Sequence, residues 1–223
     1  MVVMAEKADA VVNDVPAPKR MPRPYDDAPR IPEGDAIDLR TLVSGSRFEL
    51  EVGSGRGGFT LERILHDPEV GMLALEIKRK WATIVDKRLQ ALGHGARARC
   101  FSEDAKFALP RLGPDASLSV VYLHFPDPWW KKRHQKRLVM GEVFLREVLR
   151  LLKPGGDFFV QTDVDERADA YCAQLADCKD LVPAGDEPGS PWLAENPYGA
   201  RSPREHRAIK DGLPVRRMRF RRK

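Results

Sequence analysis

Acidic residues lie at or just after the ends of three predicted strands in the first half of the chain, and a glycine-rich loop adjoins the first of these strands. Glu51 lies two residues before Gly53 in ELEVGSGRGG, Glu76 ends the next predicted strand and Asp104 follows the third. Glycines that open a helix let the backbone approach a ligand closely. A carboxylate at Glu76 can accept both hydroxyls of a ribose, and Asp104 can meet an adenine amino group. Since Glu51 suits a cationic end, the pattern predicts an adenosine-bearing cation such as S-adenosylmethionine.

The glycine loop by itself leaves other ligands open. Gly53, Gly55 and Gly58 match G-x-G-x-x-G, which also fits a nicotinamide or flavin enzyme. The same residues can form a tight strand-to-helix turn that binds nothing. Glu51 favours S-adenosylmethionine over a dinucleotide, because its carboxylate would repel a pyrophosphate.

A second group of residues with chemical potential is HFPDPWWKKRHQKR, at 124–137. Asp127 follows the fourth predicted strand, and Pro126 and Pro128 fix the backbone φ angle on either side of it. This predicts a carboxylate held in a stiff loop, although PDP is also a common turn sequence. The two tryptophans can stack on a base or pack in the core. The cations that follow can contact phosphates or form a solvated face: Lys131, Lys132, Arg133, Lys136 and Arg137.

Short apolar runs alternating with helical patterns are predicted to position these residues. The predicted strands are 47–52, 71–77, 96–101, 118–125 and 157–162. The predicted helices are 57–66, 79–92, 105–112, 139–152 and 165–178. Repeated strand–helix units indicate a parallel sheet covered on both faces, with ligands at the carboxyl ends of its strands. The final PVRRMRFRRK predicts one more strand, with an apolar inner face (Met218, Phe220) and a basic outer face (Arg217, Arg219).

Positive charge is concentrated at the C-terminus. The 223 residues carry a net charge of +5, yet residues 201–223 hold ten Lys or Arg against Glu205 and Asp211. Clustered cations predict a polyanionic partner, although a solvated face is the alternative. The proline-rich residues 1–40 predict a flexible N-terminal arm, and residues 41–223 a single folded domain.

Cysteine usage and the N-terminal sequence indicate the compartment. Cys100, Cys172 and Cys178 form no CxxC pair, which fits a reducing cytoplasm and argues against a zinc site. Glu6 and Asp9 interrupt the apolar run that a signal peptide needs. No apolar run approaches the ~18 residues of a membrane span. We therefore expect a cytoplasmic protein without a metal or a membrane partner, and the sequence does not decide between monomer and homodimer.

Six motifs occur in order between residues 47 and 220: LEVGSGRGG, LEIKRKW, EDA, FPDPWWKKRHQKR, LLKPGG and TDVDERADAY. Together they resemble the bacterial tRNA (guanine-N7-)-methyltransferase family, and FPDPW with its Lys/Arg-rich run is the most specific. The resemblance implies an α/β, Rossmann-like class I methyltransferase fold, with a mostly parallel seven-stranded sheet, helices on both faces and an antiparallel last strand. It implies S-adenosylmethionine as donor and tRNA as partner, methylated on N7 of guanine 46 in the variable loop.

The resemblance also implies roles for individual residues. Donor contacts are expected from Glu51, Gly53, Gly55, Glu76, Asp104 and Asp127, of which Asp127 is also the catalytic residue. Substrate contacts are expected from Lys131, Asp163, Ser202, Pro203, Arg204 and Glu205. RNA binding is expected from Arg133, His134, Gln135, Lys136, Arg137 and Leu138.

One segment departs from the pattern of that family. The family usually carries T-x-aromatic-E before the last strand, where this chain has Ser202-Pro203-Arg204-Glu205. The hydroxyl and the carboxylate are kept, but Arg204 replaces the aromatic residue. The resemblance therefore does not define what the side chain of Arg204 contacts.

The implied reaction places modest chemical demands on the protein. Guanine N7 has a lone pair and no proton, so it can attack a sulfonium methyl group without a general base, and the main task is placement. Asp127 or Asp163 can stabilise developing positive charge, and can accept hydrogen bonds from guanine N1–H and the 2-amino group. Two other classes remain open: a non-catalytic RNA-binding protein, against which the retained acids argue, and a small-molecule methyltransferase, against which the basic clusters argue.

Overall fold

A computed structural model of the chain describes residues 24–126 and 139–223. Asp127, Lys131 and the predicted RNA-binding residues 133–138 lie outside the described residues, so their predicted roles remain predictions. Within the described ranges, no helix is both long and apolar enough to cross a membrane.

The five strands and five helices predicted between residues 47 and 178 are all present, although the helix predicted over 105–112 is α-helical only to Ala108. The short strands 37–38, 112–113, 181–183 and 192–193 and the helix 203–210 were not predicted. The strands are β1 (Ile37–Asp38), β2 (Arg47–Val52), β3 (Val70–Leu75), β4 (Ala98–Phe101), β5 (Leu112–Gly113), β6 (Leu118–His124), β7 (Leu152–Thr162), β8 (Leu181–Pro183), β9 (Trp192–Leu193) and β10 (Arg216–Arg222). The α-helices are α1 (Gly58–His66), α2 (Arg79–Ala91), α3 (Ala105–Ala108), α4 (Glu142–Leu151), α5 (Asp165–Ala176) and α6 (Pro203–Lys210). Two short 3-10 helices are Leu39–Thr41 and Leu109–Arg111.

One mixed sheet dominates the described part of the chain. Its strands follow the order β4-β3-β2-β6-β7-β10-β8, and the short β9 also pairs with β10. Neighbours from β4 to β7 are parallel, whereas β10 is antiparallel to β7, β8 and β9. The predicted α/β class with a mostly parallel sheet and an antiparallel last strand is confirmed, and β9 adds an eighth strand to the seven expected. β1 and β5 form a separate two-stranded parallel pair.

The sheet is buried on both faces because helices cover each side. All six residues of β3 are buried, as expected for a continuous apolar run in a parallel sheet. Alternate side chains enter two apolar clusters: Leu73 and Leu123 enter one, Met72 and Tyr122 the other. This alternation also fixes which face of the sheet carries the acidic residues of β2.

The described end of the predicted N-terminal arm packs on the domain. Ile31 and Leu39 are buried in the first apolar cluster, and the amide of Ser102 donates to the carbonyl of Pro29 at 2.7 Å. Arg79 Nη1 lies 3.0 Å from Asp26 Oδ1. The domain boundary at residue 40 stays a prediction, but residues 24–40 contact the domain because they contain apolar side chains that it buries.

The last strand differs from its predicted exposure. Met218 and Phe220 are fully buried as predicted, but Arg217 is also buried, with only 6% of its surface exposed. Its guanidinium pairs with Glu205 at 2.9 Å. The prediction of an outer basic face is wrong at this position, because β10 lies inside the sheet and α6 supplies a buried carboxylate.

Candidate active site

A cavity of about 610 Å³ opens at the carboxyl ends of the central parallel strands. Ligand sites in proteins commonly have volumes of about 300–1,000 Å³. The chain runs outward in opposite directions from β2, to β3 and β4 on one side and to β6 and β7 on the other. Such a switch point is where open α/β sheets bind ligands. The residues lining the cavity include Gly53, Gly55, Glu76, Ile77, Asp104, His124 and Phe125.

The loop after β2 leaves its backbone accessible to a ligand. Gly53 and Gly55 have φ angles of +78° and +54°, a conformation that other residues rarely adopt. A Cβ atom added at either glycine would meet no atom within 4 Å. The glycines are therefore required by backbone conformation, and the space beside them can admit a ligand.

Glu76 is a preorganised acceptor in the cavity wall. Its Oε2 accepts a hydrogen bond from the amide of Gly55 at 2.8 Å, and its Oε1 accepts one from the amide of Lys78 at 2.8 Å. The residue is only 7% exposed. Each oxygen keeps a second lone pair, so the carboxylate can also accept the two hydroxyls of a ribose.

Asp104 and Ile77 lie along the same cavity. Asp104 caps α3, and its Oδ1 accepts from the amide of Lys106 at 3.0 Å. The side chain of Ile77 lines the cavity and is 64% exposed. An exposed apolar side chain beside a ribose acceptor can cover a purine face, a role that the sequence reading missed.

Glu51 does not line the cavity in this structure. It is 1% exposed, and its Oε2 accepts a short hydrogen bond from Thr60 Oγ1. Its Oε1 lies 3.2 Å from Nδ1 of His124. A direct contact between Glu51 and a ligand stays a prediction, and the described geometry connects Glu51 to the cavity through His124.

His124 is a cavity residue that the sequence reading missed. It is 7% exposed, and within the described residues its Nε2 has no hydrogen-bond partner. The ring packs edge-on against Phe59, with centroids 4.2 Å apart. The contact with Glu51 depends on the pairing of β6 with β2, so a single strand's pattern does not reveal it.

Ser54 joins the glycine loop to β4. Its Oγ lies 3.3 Å from Sγ of Cys100, which is fully buried. Burial raises the pKa of the Cys100 thiol to about 12. The thiol is therefore a packing residue beneath the loop and not a nucleophile of the site.

Asp163 and Arg204 lie together beside Phe125. Arg204 Nε donates to Asp163 Oδ2 and Nη2 donates to Oδ1, both at 2.9 Å. The guanidinium carbon of Arg204 lies 5.3 Å from the ring centroid of Phe125. Because Phe125 lines the cavity, the ion pair lies next to the candidate donor site.

Glu205 anchors α6 to the sheet. It is completely buried, and its Oε1 accepts from Arg217 while its Oε2 accepts from Gln161 at 3.0 Å and Asn196 at 3.2 Å. Ser202 caps the helix by accepting from the amide of Glu205. Substrate contact by Ser202 and Glu205 stays a prediction, and their described role is to hold Pro203 and Arg204 in place.

The described residues contain no group of three or more His, Cys, Asp or Glu side chains that could hold a metal ion. Glu76 and Asp104, which line the cavity, instead accept hydrogen bonds from backbone amides. Together, the open glycine backbone, the Glu76 carboxylate and Asp104 fit an adenosine-containing ligand.

Comparison with known proteins identifies relatives of this chain. A family described as putative methyltransferase matches residues 46–217. The tRNA (guanine-N(7)-)-methyltransferase of Myxococcus xanthus is 37% identical, over 78% of this chain and 82% of that protein. The protein of the same name from Anaeromyxobacter dehalogenans is 36% identical, over 84% of this chain and 96% of its own length.

Solved structures share the fold at lower identity. TrmN from Thermus thermophilus superposes with a TM-score of 0.55 at 19% identity, covering 83% of this chain and 47% of that chain. The 16S rRNA methyltransferase KamB gives a TM-score of 0.52 at 15% identity, covering 83% of this chain and 91% of its own. At these sequence identities, the similarity to both structures concerns the fold alone.

Proposed function

This chain belongs to the bacterial tRNA (guanine-N(7)-)-methyltransferase family, and from that premise we propose that it methylates N7 of guanine 46 in the variable loop of tRNA. It is a methyltransferase that uses S-adenosylmethionine. The assignment to guanine 46 is supported by the ordered motifs between residues 47 and 220.

The observation that carries the proposal is the geometry around Glu76. Two backbone amides, from Gly55 and Lys78, fix its carboxylate at the mouth of the open glycine loop. A fixed acceptor costs little to reorganise when a ribose binds. Asp104, at the start of α3, is the second polar group available to an adenosine.

S-adenosylmethionine, when bound, supplies an electrophilic methyl group on a sulfonium. The residues of the chain then have to bring guanine N7 in line with that methyl group and exclude water. Placement of this kind can supply effective molarities of about 10⁵–10⁸ M. Asp127 is proposed to lie next to the reacting atoms and to stabilise the positive charge that moves onto the purine.

Selection of guanine is proposed to involve Asp163. Both of its oxygens accept hydrogen bonds from Arg204, yet each oxygen keeps a second lone pair. Those lone pairs can accept from N1–H and the 2-amino group of guanine, donors that adenine lacks in those positions. Arg204 then holds the carboxylate in a fixed orientation.

A pair of tRNA transcripts tests the position directly. The purified chain is incubated with methyl-labelled S-adenosylmethionine and either an unmodified transcript or the same transcript with adenine at position 46. We expect label in the first transcript and none in the second. Equal labelling of both transcripts would place the methylated base elsewhere in the tRNA.

A further inference from the structure

A second cavity, of about 460 Å³, lies beside the 610 Å³ cavity described above, which we call the donor cavity. Asp163, Pro203 and Arg204 of the second cavity's lining are predicted substrate contacts, whereas Arg56 and Arg207 have no role so far. Three arginines from two elements line it: Arg56 from the glycine loop, and Arg204 and Arg207 from α6. We call it the arginine cavity. It adjoins the donor cavity because Gly55 lines one and Arg56 the other, and because Arg204 covers Phe125.

The arginine cavity carries excess positive charge. Its one carboxylate, that of Asp163, is already paired with Arg204 through two hydrogen bonds. The guanidinium of Arg56 lies 4.9 Å from the ring centroid of Trp81, a contact that orients the charge without neutralising it. Among the described residues, Arg207 has no carboxylate within ion-pair distance. Two guanidinium groups therefore remain available to an anion.

The walls of the arginine cavity are held in fixed relation. Pro203, at the start of α6, packs against Gly58 at the start of α1, where an added Cβ would lie 2.6 Å from Pro203 Cγ. The far side of α6 is anchored by the buried pair of Glu205 and Arg217. Packing thus holds the backbone of α6, which carries Arg207, against the start of α1, close to the loop that carries Arg56.

We propose that the arginine cavity binds a phosphate group of the tRNA backbone next to the nucleotide that is methylated. Guanidinium groups match phosphate oxygens through paired N–H donors. A phosphate next to the target base must lie close to the donor cavity, and this cavity adjoins it. The proposal rests on the proposed function, because it takes the polyanion to be the tRNA substrate.

The test uses Arg56→Gln, Arg207→Gln and the double variant, with Arg88→Gln as the matched control. Arg88 is exposed on α2 and does not line the arginine cavity. The affinity for tRNA is measured over a range of salt concentrations, and the affinity for S-adenosylmethionine by calorimetry. Each cavity variant should weaken tRNA binding about 3- to 10-fold. Each should also lower the slope of log affinity against log salt by about 0.7–0.9, and the double variant by about twice that.

The tRNA affinity of the Arg88→Gln control should stay within about twofold of the wild type. The affinity of each variant for S-adenosylmethionine should also stay within about twofold, which shows that the variants are folded. If the wild type methylates tRNA but the cavity variants keep its salt slope, the arginine cavity is not a tRNA phosphate site, while the proposed function stands. If the wild type neither binds nor methylates tRNA, the proposed function fails and the inference with it.

Discussion

Arg204 donates two parallel hydrogen bonds to the carboxylate of Asp163, each 2.9 Å long. Arg204 is the residue at which this chain departs from the T-x-aromatic-E pattern that the sequence analysis described. Asp163 is a predicted substrate contact. The pair joins α6 to the loop after β7. In this chain the guanidinium of that pair lies beside Phe125.

We predict that Arg204 and Asp163 act as a unit in tRNA methylation. Arg204→Ala and Asp163→Asn should each lower kcat/KM for tRNA about tenfold, and the double variant should be little worse, because either change breaks the same pair. The wild type, the two single variants and the double variant form a double-mutant cycle, and its coupling energy should be about 0.5–3 kcal/mol. Arg204→Phe, which restores the family's aromatic type, should behave like Arg204→Ala in this cycle. Strictly additive effects would show that the two residues act independently.

Glu76 should control affinity for the methyl donor and not for tRNA. Glu76→Gln places an amide group against the amides of Gly55 and Lys78 and removes a charged acceptor. Hydrogen bonds to charged groups contribute about 1.5–3 kcal/mol, so the Kd for S-adenosylmethionine should rise about 10- to 100-fold by calorimetry. Glu69→Gln, an exposed change outside the donor cavity, is the control. If both variants bind the donor equally well, Glu76 is not a donor contact.

Loss of the buried ion pair between Arg63 and Glu49 should lower the free energy of unfolding more than loss of a surface ion pair. Arg63 Nη2 donates to Glu49 Oε1 at 2.7 Å, and Tyr122 Oη donates to Glu49 Oε2 at 2.7 Å. Arg63→Met leaves a buried carboxylate without its cation, so the free energy of unfolding in urea should fall by about 3–5 kcal/mol. Arg47→Met, which breaks a surface pair with Asp67, should cost less than about 1 kcal/mol. Similar losses for both variants would contradict this ranking.

Cys100 should remain protonated and unreactive in the native protein. Its pKa is raised to about 12 by burial, so at pH 8 only about one thiol in 10⁴ is the reactive thiolate. A variant with Cys172 and Cys178 changed to Ser isolates this residue. Its labelling by a thiol reagent should be very slow at pH 8, should accelerate as the pH rises towards 12, and should be fast in urea. Fast labelling of the folded variant at pH 8 would show that the glycine loop opens onto β4.

The strands and most helices could be predicted because their signals are local. The apolar run of β3 and the alternation of Met218 and Phe220 required no knowledge of distant partners. By contrast, α6 was missed because it has only eight residues and few apolar positions. Ser202 followed by Pro203, an N-cap and a favoured first helical residue, was the signal that could have identified it.

The parts of the site that could not be predicted depend on contacts between distant segments. The glycine loop, Glu76 and Asp104 were predicted from their positions at strand ends. Glu76 and Asp104 line the donor cavity, as do Gly53 and Gly55 of the loop. The burial of Arg217 depends on Glu205, which belongs to the helix that was missed. The pairing of His124 with Glu51 depends on the register between β6 and β2.

The most direct measurement is identification of the methylated nucleoside. The purified chain and its Asp127→Ala variant are incubated with methyl-labelled S-adenosylmethionine and unmodified tRNA, and the RNA is digested and analysed by mass spectrometry. We predict N7-methylguanosine from the variable loop, formed about 10²–10³ times more slowly by the variant. Label in a different nucleoside, label only in a small molecule, or equal rates for the two proteins would contradict the proposed reaction or the place of Asp127 in it.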